Sequence, residues 1–93
     1  MIVGVCTVEL FIPDGQSLKS KRQVLSSLKD RLRDKFNVSV AEIGSNDKWQ
    51  AGELGIAAAG NEGRFVSSVV EKVRQFLYND PRISIVESDI EII

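Results

Sequence analysis

The stretch VSVAEIGSNDKWQAGELGIAAA, Val38 to Ala59, sets two strands back to back. Val38-Ser39-Val40-Ala41-Glu42-Ile43 is short and β-rich. Gly44-Ser45-Asn46-Asp47-Lys48 gathers the residues that turn a chain. Trp49 to Ala59 then reads as a further strand. A helical pattern lies on each side of this pair. That order separates a split β-α-β arrangement from a plain alternation of strands and helices.

Working outward, Ile2 to Ile12 is a strand whose second half alternates, and Pro13-Asp14-Gly15 breaks it. Ser17 caps a helix running to about Phe36, with Leu18, Val24, Leu25, Leu28, Leu32 and Phe36 as its apolar stripe. Downstream, Asn61 caps a second helix that buries Phe65, Val66, Val69, Val70, Val73, Phe76 and Leu77. Asn79-Asp80-Pro81 stops that helix, and Ile83 to Ile93 is the last strand. The order is β-α-β-β-α-β. Right-handed crossovers place both helices on one face of a four-stranded antiparallel sheet. The expected fold is an α+β, ferredoxin-like βαββαβ sandwich, with residues 1–93 forming one domain.

Composition removes several functions. The 93 residues include no His and one Cys, Cys6. Histidine-based triads, His-ligated metals and disulfide frameworks are therefore excluded. Hydrophobic residues make up 43% of the chain, too many for a disordered segment. No stretch approaches the roughly 18 apolar residues of a membrane span. Met1 leads straight into a strand with no basic leader, so a cytoplasmic protein is expected. No phosphate-binding glycine loop and no nucleophile elbow occurs. Cys6 lies among apolar strand residues and reads as a packing thiol. Gly60-Asn61-Glu62-Gly63 reads as a turn and cap. Neither catalytic residues nor a cofactor, metal or small-molecule substrate is expected.

Strand alternation describes the face the helices leave open. Gly4, Cys6, Val8, Leu10 and Ile12 point inward, so Val3, Val5, Thr7, Glu9 and Phe11 point outward. In the third strand Leu54, Ile56 and Ala58 go inward, and Trp49, Ala51, Glu53 and Ala57 outward. In the fourth, Val86, Ile90 and Ile92 go inward, and Ile85, Glu87, Asp89 and Glu91 outward. Carboxylates repel phosphate, which argues against an RNA-binding sheet of the stacking kind. Glu87 and Asp89 are neighbours on one face, but no compact ligand loop accompanies them. The apolar residues Val3, Val5, Phe11, Trp49 and Ile85 form a candidate oligomer interface.

The net charge of −1 conceals a division. Ser17 to Phe36 holds seven bases and two acids. Lys19, Arg22, Lys29 and Arg33 fall within one stripe of about 80°. Lys19, Lys21 and Arg22 also crowd the helix N-terminus, where the macrodipole disfavours cations. Backbone N–H groups and cations together make an anion site. Lys19, Lys21, Arg22, Lys29 and Arg33 are therefore the candidate anion- or RNA-binding residues.

Ser17-Leu18-Lys19-Ser20-Lys21-Arg22, Val24-Leu25, Arg31-Leu32-Arg33, Phe36 to Glu42, Asp47-x-Trp49-Gln50 and Leu54-Gly55 resemble the YlxP-like family of small bacterial proteins. The similarity covers essentially the whole chain. It implies a dimeric ferredoxin-like fold. It also implies a gene neighbourhood concerned with translation initiation and ribosome maturation, an association that supplies no mechanism. The expected function is a non-catalytic binding protein, a homodimer associated with RNA or a ribosomal surface through its first helix. The alternative is a homo-oligomeric protein-interaction module with no nucleic-acid role.

Overall fold

A computed structural model describes residues 1–13, 17–44 and 48–93. The chain order is β1 (Ile2–Phe11), α1 (Leu18–Lys35), β2 (Ser39–Gly44), β3 (Ala51–Gly60), α2 (Gly63–Tyr78) and β4 (Ser84–Ile92). The strands form one sheet in the order β2-β3-β1-β4, and every neighbouring pair is antiparallel. This is the expected βαββαβ sandwich.

Alternation in β1 holds along its length. Gly4, Cys6, Val8 and Leu10 are buried, and Ile12 just beyond the strand is buried too. Facing them are Leu25, Leu28 and Leu32 of α1 and Val66, Val70, Val73 and Leu77 of α2. These spacings of three, four and seven residues line one face of each helix. Ser17 caps α1 as expected: its hydroxyl accepts from the Ser20 N–H at 3.1 Å. The cap of α2 is Glu62 rather than Asn61, and no side chain bonds the helix end there.

Three expectations about facing are corrected. First, Phe65 is 59% exposed rather than buried. It sits in the first turn of α2, where its ring edge lies against Gly60. Second, β4 changes phase at a bulge. Glu9 pairs with Glu87 but Leu10 pairs with Ile85, leaving Val86 as the extra residue. Ile85 therefore shares the face of Leu10 and packs against the core. Val86 is 63% exposed. Third, Trp49 is exposed as expected but precedes β3, which begins at Ala51, so it takes no place in the strand's alternation. Cys6 is fully buried, and burial pushes its thiol pKa up. The 44–48 turn lies outside the described residues at Ser45, Asn46 and Asp47. The same holds for Asp14 and Gly15 of the first turn.

Candidate functional site

The two layers divide the charge. Helix α1 holds seven bases and two acids, and α2 holds three bases and one acid. The helical layer thus carries +7 and the remainder −8. On the open sheet face, Glu53, Glu9 and Glu87 stand side by side across three strands, with Asp89 and Glu91 further along β4. Glu9, Glu53, Glu87 and Asp89 line a trough of about 260 Å³. Opposed carboxylates cost sheet stability. Among the described residues no acid or thiol cluster has the geometry of a metal site.

This carboxylate row splits the expected apolar interface. Val3 and Val5 lie at one end of β1, opposite Ala59 and Ala57. Phe11 lies at the other, beside Trp49 in a second hollow. Ile85 is on the opposite face of the sheet. The five residues therefore do not form one patch.

The five basic candidates separate in the same way. Lys19 and Arg22 are exposed and form no hydrogen bond or ion pair with another described residue. They line a shallow depression with Gln23, Ser26 and Arg31. Lys21 is corrected: it is buried, and its Nζ donates to the Lys48 carbonyl at 2.7 Å. Its place at the helix N-terminus thus has a structural reason. Lys29 pairs with Glu42 of β2 at 3.0 Å. Arg33 donates from Nη2 to the Val40 carbonyl at 2.9 Å, so it ties α1 to β2. Of the three cations at the α1 N-terminus, only Lys19 and Arg22 stand there without a described partner. No acid occupies the first turn to offset them.

Two features escape a local reading. The first is a second basic group, Arg31, Lys35 and Lys72, around a cleft between the C-terminal ends of α1 and α2. Arg31 and Lys35 share a helix face by their i,i+4 spacing, but nothing local places Lys72 of α2 beside them. The second is an ion-pair network on Asp80, whose side chain is 2% exposed. Arg82 donates to it from Nε at 3.1 Å, from Nη2 at 2.8 Å and from its backbone N–H at 2.9 Å. Arg31 reaches the same carboxylate at 3.4 Å, and Arg82 also donates to Ser27 Oγ at 3.0 Å. The Arg82 hydrogen bonds hold the Asp80 pKa below the ordinary aspartate value, against the opposing effect of burial. This network joins α1 to the α2–β4 turn.

No described helix is long and apolar enough to cross a membrane. A solved structure of a designed protein with a ferredoxin fold superposes with a TM-score of 0.59, covering 98% of this chain and 86% of that one. Its 13% identity makes this a likeness of fold alone. The uncharacterized protein YlxP of Bacillus subtilis (strain 168) is 38% identical over 82 residues, covering 88% of this chain and 89% of that one. A family profile described as "Protein of unknown function (DUF503)" matches residues 3–90. With nearly the whole chain matched, and the Ser17–Arg22 stretch included, this protein belongs to the DUF503 family of YlxP-like proteins.

Proposed function

We propose that this protein is a cytoplasmic RNA-binding protein that meets RNA, such as that of ribosomal particles, through its helical layer. The observation that carries the reading is the division of charge between layers. Ten bases and three acids lie on the helices, while five carboxylates line the open sheet face. Lys19 and Arg22 give that layer cations with no described protein partner. Phosphate attraction of this kind fixes the protein's orientation without reading sequence. The acidic sheet keeps the opposite side away from the polyanion.

A symmetric dimer through the sheet face is the weaker reading. An isologous contact would set the Glu53–Glu9–Glu87 row against its own copy. Apolar contact at the two ends would have to outweigh that repulsion.

Lys19→Glu combined with Arg22→Glu tests the proposal. Both positions are exposed, so the variant should melt close to the parent protein. Co-sedimentation with purified ribosomal particles at moderate salt should fall by at least about tenfold. Undiminished co-sedimentation by a folded variant would overturn the reading. Lys21 is unsuitable for this test, because replacing a buried, hydrogen-bonded lysine perturbs the fold itself.

A further inference from the structure

The cleft at the C-terminal ends of α1 and α2 concentrates three cations, of which Arg31 pairs with Asp80 while Lys35 and Lys72 pair with no described acid. Its volume is about 420 Å³, within the range of small-molecule sites. Phe36 and Phe76 meet edge to face inside it, with centroids 6.0 Å apart and planes at 86°. Arg31 lies over the Phe76 ring at 5.2 Å, and Lys35 approaches the same ring at 5.3 Å. Ring faces position these cations without neutralising them. Lys72 lines the cleft from α2 and makes no ion pair with another described residue. Asp80 lines it too, but its charge is matched by Arg82.

The helix ends contribute the opposing charge, about half a unit from each C-terminus. Against Arg31, Lys35 and Lys72 that leaves a net charge of about +2. Dipole compensation accounts for Lys35, in the last turn of α1. It does not account for Lys72, which stands mid-helix in α2.

We propose that this cleft binds the terminal phosphate of a nucleotide. A phosphate monoester carries about −1.5 to −2 at neutral pH, which matches the cleft better than the single charge of a diester. Gln75 and Asn79 add amide groups at its rim. A free nucleoside phosphate and the phosphorylated end of an RNA share this chemistry. For the RNA end, the inference rests on the RNA-binding reading and narrows it. Arg31 lines both this cleft and the depression holding Lys19 and Arg22. An RNA end seated in the cleft would therefore continue along α1, over a Lys35-to-Lys19 rise of about 24 Å.

The test titrates the full chain with one short RNA in two forms, 5′-monophosphate and 5′-hydroxyl, and separately with adenosine triphosphate. The 5′-phosphate form should bind at least about tenfold more tightly. Lys35→Gln combined with Lys72→Gln should erase that preference. Lys72→Gln alone should reduce it while leaving the fold intact, since Lys72 makes no ion pair or ring contact with another described residue. Lys19→Glu with Arg22→Glu should weaken both RNA forms alike and keep the preference. Equal affinity for the two forms, or a preference that survives the double glutamine variant, would overturn the cleft assignment and leave the RNA reading standing. Binding of the triphosphate alone, lost in the glutamine variants, would support the cleft and overturn the RNA reading. Binding of none of the probes would overturn both.

Discussion

Asp80→Ala is expected to lower the unfolding free energy by about 2–4 kcal/mol, one of the largest effects of any single substitution in this chain. The carboxylate is 2% exposed and receives three hydrogen bonds from Arg82, one of them from the backbone. Its removal strands that N–H and frees two guanidinium groups. Arg82 keeps 35% of its side chain in water, so part of the loss is recovered by hydration. The effect therefore falls towards the lower part of the range for a broken buried pair. Urea unfolding at neutral pH measures it directly. The same group imposes a pH dependence. Its folded pKa lies below the unfolded value, so its stabilisation is complete above the ordinary aspartate pKa of about 4. As pH falls from there through the lower folded value, the contribution disappears. Asp80→Asn should remove this acid-linked component and flatten the acid limb of the stability profile, below about pH 4. An unchanged profile would show that the network is not a stabilising element.

Gly4→Val should be comparably damaging, for the opposite reason. A Cβ on Gly4 would stand 2.5 Å from Val66 Cγ1 and 3.1 Å from Val70 Cγ1. Both valines are fully buried on α2. The helix seats directly on the backbone of β1 at this point, and any side chain must lever it away. Overpacking of this kind costs about 1–3 kcal/mol, and the branched valine should reach the top of that range. Gly52 provides the control. A Cβ there would meet Leu25 at 3.4 Å, an ordinary contact. Gly52→Ala should therefore be near neutral, since the chain entropy it removes from the unfolded state offsets minor repacking. Thermal melting of the two variants side by side gives the comparison. Equal melting temperatures would contradict the seating of α2 on Gly4.

The fold was legible because its elements declare themselves locally. Ser17 caps α1, the leucines at 25, 28 and 32 line one helix face, and β1 alternates strictly. Errors arose where a local rule was carried across a tertiary event. A period of two continued through β4 assigned Ile85 to the wrong face, because the bulge at Val86 resets the phase. The candidate site was legible only in part, since a basic residue's partner is rarely nearby in sequence. Lys21 meets the Lys48 carbonyl, Lys29 meets Glu42, and Arg33 meets the Val40 carbonyl. Each contact turns a supposed ligand-binding cation into a structural one. The Asp80–Arg82 turn had a local signal, an aspartate two residues before the N–H it accepts. Its link to α1 through Arg31 and Ser27 had none.

The charge total of −1 thus resolves into a positive helical layer and a negative remainder, and the central claim is that the positive layer is the working one. Binding of a structured RNA as a function of salt tests this most directly. The logarithm of the association constant should fall linearly with the logarithm of salt concentration. Removing two phosphate contacts with Lys19→Glu and Arg22→Glu should make the slope shallower by about two. An affinity insensitive to salt, or a slope that the double variant leaves unchanged, would contradict it.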